Sequence, residues 1–169
     1  MGNTARHGAV IHNRVVVDGE EVARDVTITY PDITPLTVDI QAMGTISMPV
    51  PGLFEAFELG FTKEGFDLVF GKITTFEAHK VEIYEVASVF GADQTYSETF
   101  TKTYATGIPG SLPGGSSEVG SKRTLDYKFA PWTYQQYIDG EEICNIDRFN
   151  QVCVINGKDL YENIRSQMG

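Results

Sequence analysis

Residues 36–48, LTVDIQAMGTISM, alternate between apolar and polar. Leu36, Val38, Ile40, Ala42, Ile46 and Met48 point one way, and Thr37, Asp39, Gln41, Thr45 and Ser47 the other. Period two over this length predicts a strand with one buried face. Residues 81–90, VEIYEVASVF, are rich in β-branched and aromatic residues and read as a second strand. In 95–106, Thr95, Ser97, Thr99, Thr101 and Thr103 share one face; Tyr96, Glu98, Phe100, Lys102 and Tyr104 share the other. The second face mixes rings with charges, as a partly solvated or interfacial face would. Residues 124–139 continue the β pattern, broken at Pro131.

Two segments carry helical spacing. Phe66, Val69, Phe70 and Ile73 fall at i, i+3, i+4 and i+7, which predicts a helix over 66–73, weakened by Gly71. A short C-terminal helix over 158–167 would stripe Leu160 and Ile164, with Asp159 in its first turn and Arg165 in its last. Asn156-Gly157 would make the tight turn before it. The stretch GIPGSLPGGSSEVGSK, 107–122, is dominated by Gly, Pro and Ser and predicts a long loop within one domain spanning 1–169.

A short motif occurs twice: VVVDGEEVARDV at 15–26 and QYIDGEEICNID at 136–147. Asp-Gly between β-rich flanks predicts a tight hairpin in each copy. The competing reading is a calcium site from Asp18, Glu20 and Glu21, or from Asp139, Glu141 and Glu142. DGEE lacks the spaced oxygens of a calcium loop, so the hairpin is preferred.

Composition narrows the function. The chain has 169 residues, 41% of them hydrophobic, enough for one domain with a core. Its 23 acidic and 13 basic residues give a net charge of -10, which argues against tight binding to nucleic acid or to anionic membranes. No apolar run approaches a membrane span, and the N-terminus lacks the apolar core of an export signal. Gly2 is followed by Arg6 where a myristoylation signal needs Ser or Thr. Cys144 and Cys153 are read as buried thiols of a reducing compartment, too far apart for a redox pair.

Catalytic patterns are missing. His7, His12 and His79 are scattered, the first two in a basic surface arm with Arg6 and Arg14. Residues 65–73, GFDLVFGKI, only approximate a phosphate loop: five residues separate the glycines and Ile73 stands where magnesium needs Ser or Thr. No Gly-x-Ser-x-Gly elbow occurs. Neither an enzyme nor a cofactor is expected. Trp132, Tyr134 and Tyr137 could stack single-stranded bases, but Asp126, Asp139 and two glutamates counter Lys122, Arg123 and Lys128.

Two longer regions carry a resemblance. Residues 22–66 run strand, Pro-containing bend, strand, Met-Gly turn, strand and helix; residues 134–169 run strand, Asp-Gly turn, Ile-Asp, then VINGKDL and a short tail. In order and spacing the chain resembles the major tail tube protein of contractile-tailed bacteriophages and the tube proteins of R-type bacteriocins. The resemblance implies a mainly β subunit, sandwich- or barrel-like, with one or two short helices. Six copies would close a ring whose inner strands form one shared barrel, and rings would stack into a hollow tube. Sheath, baseplate and tape-measure proteins would be the partners, DNA would pass only in transit, and the assembled particle would hold no membrane. Assembly would occur in the bacterial cytoplasm, yielding a virion tail or a released bacteriocin. The residues expected to serve assembly are Tyr96, Glu98, Phe100, Lys102, Tyr104, Gly107, Pro109, Gly114, Gly115, Asp139 and Gly140. Two alternatives stay open: a carbohydrate-binding β-sandwich using Trp132 and Tyr134, and a type VI secretion tube.

Overall fold

The structure, a computed structural model, describes residues 6–168; the Gly2 reading lies outside them. β1 (Arg6–Val17) and β2 (Glu20–Arg24) form a hairpin, followed by β3 (Thr27–Thr29). β4 (Pro35–Gln41) and β5 (Thr45–Phe54) form a second hairpin, and β6 (Leu59–Glu64) leads into α1 (Leu68–Ile73). Three long strands follow: β7 (His79–Gly91), β8 (Tyr96–Ser111) and β9 (Thr124–Ile138). β10 (Glu141–Asp147), β11 (Val152–Ile155), β12 (Lys158–Asp159) and α2 (Glu162–Met168) complete the chain.

The main sheet runs β12-β11-β10-β9-β8-β7-β1-β2, with β6 also on β9 and β3 on β6. It forks at β9, whose residues 124–129 pair with β6 and 133–138 with β10. Pro131 sits at the changeover. The strand is therefore continuous rather than broken there, because a residue without an N–H is tolerated where the partner changes. One apolar cluster joins Val15, Val22, Phe61, Phe70, Ile83, Ala105, Tyr127 and Ile146, so the sheet curls around a common core. It does not close: β2 and β3 end the pairing on their sides.

Both DGEE copies are two-residue hairpins. Val17 pairs with Glu20 around Asp18-Gly19, and Ile138 with Glu141 around Asp139-Gly140. Both turn residues have positive φ (52° and 86°; 49° and 84°), the geometry that Asp-Gly supplies most readily. Each Asp also grips a third strand. Asp18 N–H donates to the Lys80 carbonyl and its Oδ1 accepts from Lys80 N–H at 3.0 Å. Asp139 does the same with Phe100, at 2.9 Å to Oδ1. The repeat is thus one device used twice: a hairpin whose corner locks onto the strand beside it.

α1 begins two residues later than the spacing predicts, because Asp67 caps it by accepting from Phe70 N–H at 2.9 Å. Phe70 and Ile73 are buried, Phe70 against Phe61 and Tyr127, while Phe66 stays half outside under Arg123. The Phe70 bond, with Lys63 at 3.1 Å, holds the Asp67 carboxyl below its usual 3.8. A depressed carboxyl contributes stability above its unfolded-state value and loses it as pH falls through the folded one. Asp67→Ala is expected to cost about 1 kcal/mol at neutral pH. The gap from wild type should narrow below pH 3.8, as urea midpoints at several pH values would show.

α2 also starts late, at Glu162. Asn156-Gly157 makes the expected turn, but Lys158 and Asp159 then pair as β12, so Asp159 precedes the helix. It still bonds Arg165. α2 buries no residue, and Ile164 is exposed. The expected loop is shorter too: β8 continues to Ser111 because residues 107–111 pair with β9 across two bulges. Gly107 and Pro109 are buried strand residues, not loop. The segment from 112 to 123 is pinned by Arg123, which donates to the Gly114 carbonyl, and by Gly115, which lies against Thr124.

Candidate assembly surface

Residues 36–48 are not one strand with a buried face. They are the outer part of an arm, β4 and β5, that among the described residues pairs with itself and with no other strand. Leu36, Val38, Ile40, Ile46 and Met48 all lie on one side, 42–49% exposed, and Met43 at the tip is fully exposed. Thr37, Asp39, Gln41, Thr45 and Ser47 form the other side, tied by Ser47–Asp39 and Gln41–Thr45 bonds. A lone two-stranded hairpin is marginal in water, and an aliphatic face of this length on one is uncovered contact surface.

A second projection lies where β1, β7 and β8 outrun the core. Residues 7–12 of β1, with a bulge at Ile11, pair with β7 but not with β2, whose pairing begins at Arg14. Across the ribbon, β8 meets β9 only from Thr101, leaving 96–99 with an open edge. His7 and His12 therefore belong to a strand rather than a loose arm. His12 Nδ1 lies 2.5 Å from Asp25 Oδ1. Val10, Ile11, Phe90 and Tyr96 are exposed on the ribbon, the last two with ring centres 5.3 Å apart.

The face expected from Tyr96, Glu98, Phe100, Lys102 and Tyr104 is the side of the sheet away from the core; Thr103 and Ala105 are buried on the inner side. Register puts Arg14, Tyr84, Lys102 and Tyr137 in one row across four strands. Arg14 stands 5.0 Å over the Tyr84 ring and Lys102 5.3 Å over Phe100, so cations and aromatics interleave. Partial burial, helped by the Glu82 bond, pushes the Tyr84 phenol up to about 12. Gly107, Pro109, Gly114 and Gly115 lie away from this row, and Asp139 accepts from Phe100 N–H, two residues before Lys102 on the same strand.

The remaining aromatics and the cysteines follow the preferred readings of core or interface rings and buried thiols. Tyr134 is buried against Phe57, Trp132 packs on Phe149, and Tyr137 faces Tyr104, so these rings form no common platform for bases or sugars. Cys144 and Cys153 are buried and unbonded. Among the described residues no helix is long and apolar enough to cross a membrane.

A β-rich body bearing two uncovered projections is the shape of a part. Residues 9–169 match the family of phage tail tube protein FII. The chain belongs to that family. No curated protein matches it. Among solved structures it is similar to the PVC sheath/tube terminator of an extracellular contractile injection system in the extended state, with 15% identity and a TM-score of 0.52. That likeness covers 74% of this chain and 92% of the other, and it concerns the fold. The tube protein is a structural component of a tail. The strand, Met-Gly turn and strand of 36–54 were legible, but that this hairpin stands off the body, and that β1 has an open edge, escaped sequence reasoning.

Proposed function

We propose that the tube protein acts without an active site, joining copies of itself into closed rings that stack into a hollow tube. The observation behind this is the ribbon with an open edge on each side, at 7–12 and 96–99. β1 and β8 are both antiparallel to β7, so they run parallel to each other. Rotation about a ring axis preserves strand direction. The β1 edge of one copy would therefore meet the β8 edge of the next as a parallel pair, and a ring so closed leaves no edge exposed. The arm's aliphatic side would cover a neighbouring copy. Six copies per ring, a surrounding sheath with baseplate and tape-measure partners, passage of DNA and assembly in the cytoplasm are part of this reading. So is the Arg14–Lys102 face as a contact or bore surface.

Electron microscopy of the concentrated protein tests it: hollow tubes are expected, and compact monomers at every concentration would end it. Hydrogen exchange tests the edges. Amides in 7–12 and 96–99 should gain protection of roughly a hundredfold in tubes relative to free subunits. Unchanged exchange at both edges would place the ring contact elsewhere.

A further inference from the structure

The arm meets the body at very few points. Among the described residues, two side-chain hydrogen bonds join 35–54 to the rest of the chain. Tyr161 donates its hydroxyl to the Gly52 carbonyl, and Arg148 Nη2 donates to the Phe54 carbonyl at 3.2 Å. The Glu55 N–H bond to the Thr34 carbonyl closes the arm's base only on itself. Gly52 has φ +97°, and a Cβ there would stand 3.1 Å from the Tyr161 ring, so the ring rests directly on backbone. Between arm and body lies a cleft of about 260 Å³, lined by Leu36, Gly52, Phe54, Ile146, Arg148 and Tyr161. Phe54 packs against the core cluster at the base, and the two bridges span the cleft beside it.

Both donors belong to the C-terminal part, and one residue couples them. Arg165 of α2 pairs with Asp159 and donates to the Gln151 carbonyl at 2.7 Å, in the turn that carries Arg148. Asp159 in turn accepts from Tyr161 N–H at 3.0 Å. A displacement of α2 would therefore act on both bridges together.

We propose that Tyr161 and Arg148 are positioning residues that set the angle of the arm to the body, with α2 as the element that controls them. The angle belongs to the free subunit; its consequence for assembly rests on the ring-and-arm reading above. α2 buries nothing of its own and is open to a neighbour. A neighbour seated on it would fix or release the arm, so one contact between copies would prepare the next.

The test uses the soluble full chain with spin labels on Asp39→Cys, on the arm's polar side, and Lys128→Cys, on β9. The native thiols will not compete at neutral pH: both are buried, and burial pushes Cys144 up to about 11. A single narrow distance distribution is expected in wild type. Tyr161→Phe removes only a hydroxyl and should lower the ratio of seated to released arm roughly fivefold, in keeping with one neutral hydrogen bond, which shows as a second, broader component in the distribution. Adding Arg148→Met should broaden the distribution fully and slow tube nucleation by about tenfold or more. Melting temperature should barely move, which separates positioning from general stability. A distribution that stays narrow in Tyr161→Phe and in the double variant overturns the proposal; if the double variant does not fold, the single one decides. A wild-type arm that is seated and released as described, in a protein that never forms tubes, would refute the assembly reading and leave the hinge standing.

Discussion

Val38→Asp together with Ile46→Asp is expected to yield a folded subunit that does not form tubes. Both side chains are nearly half exposed on the outer part of the arm, and of the arm it is Phe54 at the base that packs against the core cluster, so the body has little to lose. Surface changes of this kind usually shift stability by a fraction of a kcal/mol, with some further loss from poorer strand propensity. The contact between copies is another matter. An aspartate carried into an apolar interface without a partner costs several kcal/mol, and two of them cost more. At about 1.4 kcal/mol per factor of ten, the concentration needed for assembly should rise at least about a hundredfold. Sedimentation across a concentration series, with circular dichroism to verify the fold, would read both halves of the result. Thr45→Asp, on the polar side of the same arm, is the control and should leave tubes intact. Tubes of the double variant at wild-type concentration would mean that the aliphatic side faces no copy.

The largest effect on the fold itself is expected from Gly107→Ala. A Cβ at this position would lie 2.2 Å from the Ala130 carbonyl oxygen and 2.6 Å from Pro131 Cα, both backbone atoms. No side-chain rotation relieves such a contact; β8 and β9 would have to separate. The approach occurs where β8 is bulged opposite Pro131, at the changeover from β6 to β10. A loss of about 3 kcal/mol or more is expected, at the top of the range for overpacking. That is a large share of a domain's total stability. The urea midpoint measures it. Gly110→Ala, where a Cβ meets nothing, should stay close to wild type.

Local chemistry in the sequence was a good guide wherever it fixes a backbone angle. Asp-Gly set two hairpin corners and Asn-Gly a third, and the spacing of Phe66, Val69, Phe70 and Ile73 located α1. The alternation in 95–106 separated two faces correctly, and the mixed one lies outside. What failed was whatever depends on a partner distant in the chain or absent from it. Alternation in 36–48 reports that one side is apolar, not that this chain covers it; among the described residues that side stays 42–49% exposed. Composition made 107–111 look like loop, yet its pairing to β9 is set by strand register, and Gly107 is needed for closeness rather than freedom. Pro131 looked like a break because its neighbours were unknown. The links from Arg148 and Tyr161 to backbone carbonyls span 94 and 109 residues and leave no periodic trace.

Strand β9 hydrogen-bonds to β8 along one side and, in succession, to β6 and β10 along the other. A pull on the projecting ribbon enters β9 from β8 as shear across many bonds at once and leaves by two branches. Neither branch must fail for the other to hold. The subunit is cross-braced at its middle, so thrust along a stack of such pieces would travel through its walls.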